Sequence, residues 1–395
     1  MIRGFVFILS LVLFPALLKS NTDSLINAYY QTDDSYKAGI ISLALAKSYA
    51  GKGWRLKNSL DTIEMDSALI WAERSNKAAL YSNSDSLKIV TYKAVGGINM
   101  YHKNYDIALV YLKKGYNLSI EINDTTNKAD ISNNIANAYY NKNSFPEAIV
   151  WYYEAIAEYE KQNKIKQTFR LNNSLGLMFL NRKLWEKSLI HLKKAATELQ
   201  FLYRKGYKEV YKKKEPSITM NIGIAYMNLD SIDLALKYQN KTCKLSKGLY
   251  EKTYAEGLTN IGEIYLIKKE FEKAKSTFLT SLKITEKINK PKTIGNNKLG
   301  LAKVYLNMNL PKKAIELCNN ILKNKYYKDD ETLINVYDNL YKSHEMSGNL
   351  GKSLYYLKKF NKTEKVIYSQ ENERKTLQAE IGYVFGKKLD EEKKE

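Results

Sequence analysis

A chain of 395 residues with 44% hydrophobic side chains can bury a large core, and a compact fold of that size usually divides into two or more domains. Lysine and arginine outnumber the acids 63 to 42, for a formal net charge of +21, a balance that in a cytosolic protein would raise nucleic-acid binding. Two cysteines are too few for a disulfide framework or a cysteine metal site, and five prolines with few alternating runs predict an almost wholly helical chain.

The first residues differ from the rest. Met1 to Arg3 give a short basic start, Gly4 to Leu18 is an uncharged run rich in Phe, Leu and Val, and polar sequence returns at Lys19. The run is shorter than the roughly 20 apolar residues a membrane helix needs and holds Pro15, so residues 1–20 are expected to be a secretory signal peptide cleaved near Ser20. Export changes how the charge is read, because an exported chain rarely meets nucleic acid, and none is expected as a partner. Lys, Asn, Ile and 32 Tyr are abundant together, as an AT-rich genome would impose on surface positions. The rest of the basic excess would attract anionic envelope material such as lipid or glycolipid head groups.

Asn21 to Ser35 is a polar lead-in. From Ile40 onward a single unit recurs, clearest at Asn260 to Leu282, where Ile261, Gly262, Tyr265, Phe271, Ala274, Phe278 and Ser281 fall in two runs of helical spacing around the polar turn Lys268 to Glu270. This is a helix hairpin, in which Gly262 is expected to cross close to Ala274 with Tyr265 and Phe278 filling either side. The Ala274 position recurs as Ala68, Ala108, Ala148, Ser188, Ala235, Ala314 and Ser353, at steps of 40, 40, 40, 47, 39, 40 and 39 along the chain. Twelve residues before each marker stands Gly96, Ala136, Gly176, Gly223, Gly262 or Ala302, and only the terminal units, with Leu56 and Tyr341, depart. The pattern resembles the tetratricopeptide repeat, and the resemblance implies an all-α, right-handed α-solenoid of about eight helix hairpins over residues 21–362. A period near 40 in place of the common 34 predicts longer helices.

In chain order the hairpins begin with Ile40–Ala50 and Met65–Leu80, joined by a long connection containing Trp54, which is expected to cover the open end of the core. Later units run over 86–124, 126–163, 167–211, 217–249, 253–289 and 293–326, and an eighth starts near Glu331. The 47-residue step after Ser188 predicts that the second helix of unit four continues through Phe201-Leu202-Tyr203 and projects before Pro216. That projection carries Arg204, Lys205, Lys208 and Lys212, either a surface for an acidic partner or a solvated helix end. Cys243 and Cys318 fall two repeats apart and are expected to be core thiols. Residues 363–395 are expected to form a charged helical or coiled-coil tail, weakened by Gly382 and Gly386.

No HExxH, phosphate loop, GxSxG or dinucleotide turn is present, and His102, His191 and His344 stand in separate repeats without ligand sets. No catalytic residue, cofactor or metal is therefore assigned. What remains is the surface of the first helices, with Asn133 and Asn137 four apart and Arg170 and Asn173 on the next first helix as candidate partner-binding residues. In relatives that grip a carboxylate, lysines stand beside such asparagines; here Asp130 and Leu177 take those places, so a carboxylate clamp is not expected. In layout (export signal, repeats of about 40, then a charged helix at Ala379 to Lys388) the chain resembles the envelope-facing part of bacterial tetratricopeptide sensor proteins. That resemblance implies a non-catalytic, periplasmic or envelope-associated binding module in signal transduction. Its expected partners are a protein or peptide in the groove and, through the tail, a membrane-bound signalling protein or a second copy. Binding of anionic envelope material is the alternative.

Overall fold

The computed structural model describes residues 22–53, 61–324 and 330–367, with isolated positions at 375 and 379. The expected signal peptide, Trp54 and nearly all of the tail lie outside the described residues. Every described element is an α-helix. A lead-in helix α1 (Thr22–Tyr30) precedes eight hairpins: α2 (Ser35–Gly53) with α3 (Asp61–Tyr81), α4 (Asp85–Tyr101) with α5 (Tyr105–Glu121), α6 (Thr125–Asn141) with α7 (Phe145–Lys161), and α8 (Ile165–Asn181) with α9 (Trp185–Arg204). A single-turn helix α10 (Lys208–Tyr211) comes next. Then follow α11 (Lys214–Asn228) with α12 (Ile232–Ser246), α13 (Glu251–Ile267) with α14 (Phe271–Lys287), α15 (Pro291–Asn307) with α16 (Pro311–Lys323), and α17 (Asp330–Met346) with α18 (350–367).

The 40-residue period comes from long helices joined by short links. Nine of the eighteen described helices have 17 residues, and the link after a helix turns at one left-handed residue: Asn83, Lys103, Asn123, Asn143, Asn163 and Lys183 stand 20 apart with φ between 49° and 62°. At the second of these the Lys103 N–H donates to the Met100 carbonyl at 3.1 Å and the Asn104 N–H to the Asn99 carbonyl at 2.9 Å, the Schellman closure. Asn104 is already the N-cap of α5, so three residues reverse the chain. Two such helix-and-link units make one repeat.

Unit four departs from the expected projection. Helix α9 does run through Phe201, Leu202 and Tyr203, but it ends at Arg204, because Gly206 adopts φ +84° and turns the chain. The remaining residues form α10, whose Tyr211 is buried and meets the Phe169 ring edge-on at 5.3 Å between centroids. Pro216 lies buried within the first turn of α11, where its missing N–H has no helical partner to lose.

All eight marker positions from Ala68 to Ser353 are buried, as the register requires. The expected crossing is met in repeats two and four, where a Cβ at Gly96 would lie 3.3 Å from the Ala108 carbonyl oxygen and the Ser188 hydroxyl donates to the Gly176 carbonyl at 2.8 Å, and the glycines have a still tighter neighbour. The glycine twelve before each marker makes room for the side chain four after the marker: a Cβ at Gly262 would lie 2.7 Å from the Phe278 ring, at Gly96 2.5 Å from Leu112, and at Gly176 2.6 Å from Leu192. Gly300 of the following repeat approaches Phe278 from its other side, where a Cβ would come within 2.4 Å. The large residue slots between two glycines, one from each repeat, which is why small side chains recur there. Cys318 takes the same place in repeat seven and is wholly buried, while Cys243 is half-buried, and both are free thiols.

The described chain separates into two compact units, repeats one to three up to Lys164 and repeats four to eight from Ile165. Inside each unit the first helices of consecutive repeats pack on one another: α2 with α4 and α4 with α6, then α8 with α11, α11 with α13, α13 with α15, and α15 with α17. Consecutive second helices make at most marginal contact. The layer in contact is the shorter one, so each unit curves toward its first helices and presents them on its inner side. In the second unit Lys183, in the link of repeat four, pairs with Glu331 at the start of α17 at 2.6 Å, so this unit winds far enough to bring its first and last repeats together.

Candidate binding surface

The inner side is what each first helix has left after packing. On α13 the buried residues are Ala255, Gly257, Thr259, Ile261, Gly262 and Ile264, which leaves Glu256, Asn260, Glu263 and Ile267 on one face at steps of four, three and four. The same register gives Arg170, Ser174, Leu177 and Asn181 on α8, and Asn296, Lys303 and Asn307 on α15.

In the first unit the expected pair Asn133 and Asn137 is brought together and largely used up internally. Asn137 donates to the Asn133 side-chain oxygen at 3.5 Å, and its own oxygen accepts the Tyr152 hydroxyl at 2.7 Å. Asp130 is equally engaged. It accepts from the Tyr159 hydroxyl at 2.7 Å and pairs with Lys93 at 3.0 Å, and Lys93 also donates to Asn127 at 2.6 Å. Lys47 on α2 lies close by, and burial, helped by the charge of Lys93, brings its pKa down to about 8. Acid and lysine in these places lock one first helix to the next.

In the second unit Arg170 is exposed and Asn173 half-buried on the inner side of α8. Their neighbour Asn172 is fully buried, and its carboxamide donates to the Glu198 carboxylate at 3.1 Å and contacts His191 Nδ1 at 2.9 Å. The His191 ring stacks on Phe179 at 5.5 Å, and burial, with a smaller contribution from Lys194, lowers its pKa to about 4. Arg204, Lys205, Lys208 and Lys212 are all exposed at the α9–α10 turn, not on one projecting helix. Lys212 pairs with Glu209 there, and Lys166 lies 3.6 Å from the centre of the Tyr207 ring.

Glu256 and Glu263 were missed by sequence reasoning. Burial raises the pKa of both, against the pull of Lys252, Lys292 and Lys290 on the first and of Lys303 on the second. The available signal was register: Glu263 directly follows the crossing glycine, a position that each repeat turns inward. Among the described residues no group of three or more His, Cys, Asp or Glu is arranged to hold a metal ion.

A tandem of such hairpins, with small residues at the crossing and open faces on the first helices, defines an α-helical repeat protein. The tetratricopeptide repeat profile matches residues 129–161, within α6 and α7, and a second profile of that repeat matches residues 255–288, within α13 and α14. The chain thus carries tetratricopeptide repeats. A relative, the uncharacterized protein ycf37 of Guillardia theta, is 31% identical over 109 residues, 28% of this chain and about half (54%) of its own length. Among solved structures, the apo form of the quorum sensor NprR from B. thuringiensis superposes with a TM-score of 0.52 at 15% identity, over 87% of this chain and 97% of that one. A signal transduction ATPase with a tetratricopeptide repeat sensor, from Pyrococcus horikoshii, gives 0.53 at 14% identity over 90% of this chain and 53% of that one. The C-terminal part of a repeat-containing protein from Cytophaga hutchinsonii gives 0.50 at 14% identity, over 75% and 98%. At these identities the likeness is one of fold.

Proposed function

We propose that this protein is an exported, non-catalytic module that holds a protein or peptide against its first helices and reports that occupancy within the cell envelope as part of signal transduction. Tetratricopeptide repeats are protein-interaction scaffolds. The observation that carries the proposal is the open inner face of the second unit, where Arg170, Ser174 and Asn181 on α8 and Ile267 on α13 stand exposed without packing duty. Sensing as the purpose is supported by kinship of fold with a quorum sensor and with the repeat sensor of a signal transduction ATPase. Export is supported by the basic start and the apolar run to Leu18.

Site-specific photocrosslinking in the native host tests both parts. A benzophenone side chain at Asn181 or Ile267 is expected to give discrete protein adducts in the envelope fraction, and one at Thr280 on the outward face of α14 is not. Adducts from Thr280 alone, or a protein found only in the soluble cytoplasm with Met1 retained, would overturn the proposal.

A further inference from the structure

We infer that the inner face of repeats five to seven receives a cationic group, the amine or guanidinium of an extended peptide, seated against the Glu263 carboxylate; this rests on the peptide-binding reading above. Glu263 stands mid-helix on the open face of α13, half-buried. Among the described residues it accepts no hydrogen bond and forms no ion pair, although crowding by protein raises its pKa and Lys303 on α15 exerts only a pull from a distance. A half-buried carboxylate that has lost part of its water and has no hydrogen-bonding partner gains more from an arriving counter-charge than a fully solvated one does, because attraction strengthens as the local dielectric falls.

The surroundings suit the same ligand. Asn228 and Asn307 end the two first helices that pack on either side of α13, and each spends its amide N–H on its own helix, donating to the Ile224 carbonyl at 2.9 Å and the Lys303 carbonyl at 2.8 Å. Both residues are exposed, so their side-chain oxygens remain as acceptors. Glu256, about two turns before Glu263, adds a second carboxylate, which Lys252 approaches at 3.7 Å. Ile267, one turn after, leaves 51% of its surface open and can cover the methylene stem of a lysine or arginine. Acceptors around an apolar strip match a long aliphatic chain ending in donors. In a chain of net charge +21 such a face also selects against the acidic ligands that the rest of the surface attracts.

A random dodecamer library displayed on phage, selected at pH 7.5 in parallel against the full chain and against its Glu263→Gln variant, tests the inference. Binders of the unchanged protein are expected to be enriched in lysine or arginine at one position. Synthetic versions should lose at least tenfold in affinity when that residue becomes glutamine, or when Glu263→Gln is the receptor. A loss on N-terminal acetylation instead assigns the amine to the peptide's own terminus and equally supports the site. The variant's unfolding midpoint, expected to match or exceed that of the parent, shows that its fold is intact. Binders without cationic enrichment, or binders indifferent to Glu263→Gln, overturn the cation site and leave the peptide-binding reading standing. No binders from either selection overturn both.

Discussion

His191 stacks its ring on Phe179 and shares Nδ1 with Asn172, both within the core of repeat four. Burial holds its pKa near 4, against about 6.5 in an unfolded chain. Between those two values the unfolded state binds a proton that the folded state refuses. The contribution of the neutral ring is therefore complete above pH 6.5 and is lost as the pH falls through 4. At pH 5 the loss is about 2 kcal/mol from this residue. Urea unfolding at pH 7.5 and 5 is expected to show a drop in stability for the unchanged protein that exceeds the drop for His191→Gln by about that amount. Equal drops in the two proteins would mean that the ring is not desolvated as the fold implies.

At the scale of the helix, one link repeats throughout, yet its left-handed residue varies. Asparagine occupies Asn83, Asn123, Asn143, Asn163, Asn289 and Asn309, while lysine occupies Lys103, Lys183 and Lys269. Asparagine tolerates positive φ, whereas lysine there bears the full clash of its Cβ, which glycine avoids. Lys103→Gly is expected to stabilise the protein by about 0.5–1 kcal/mol, since relief of that clash outweighs the greater freedom of glycine in the unfolded chain. A higher thermal midpoint checks it, and a fall would show that the Lys103 side chain does more than its backbone suggests. The helices themselves were legible in the sequence because small residues recur wherever two helices cross. Their tightest neighbours were only partly legible: the sequence set Gly262 across from Ala274 with Phe278 beside the crossing, but not that Phe278 is the side chain a Cβ there would strike first, nor that Gly300 of the next repeat also closes on it. The same limit hid α10. An insertion of seven residues reads as more helix, and only the left-handed turn at Gly206 and the burial of Tyr211 against Phe169 reveal a separate element. Periodicity likewise placed the inner face but not the state of Glu263, because desolvation depends on the two helices packed beside α13.

At the scale of a whole unit, the second one is closed by contacts far apart in sequence. Lys183 and Glu331 are separated by 148 residues and meet at 2.6 Å, with 38% and 64% of their side chains exposed. An exposed pair of this kind contributes at most about 1 kcal/mol, so it does not hold the repeats folded. It can still set the spacing between repeats four and eight, because small bends at each stacked interface add up along a solenoid while each costs little. Lys183→Glu replaces attraction by repulsion, and the expected result is an unchanged unfolding midpoint with a wider separation. Spin labels on cysteines introduced at Glu186 and Glu345, in a background with Cys243→Ser, would measure it by pulsed electron resonance; Cys318 is wholly buried and should not label. The parent protein should give a narrow distance distribution in low salt that broadens in about 1 M salt, where the screening length falls to about 3 Å. The variant should be broad and longer in both. Identical distributions would mean that the stacking of first helices alone fixes the curvature, and that the inner face is held rigid with or without this closure.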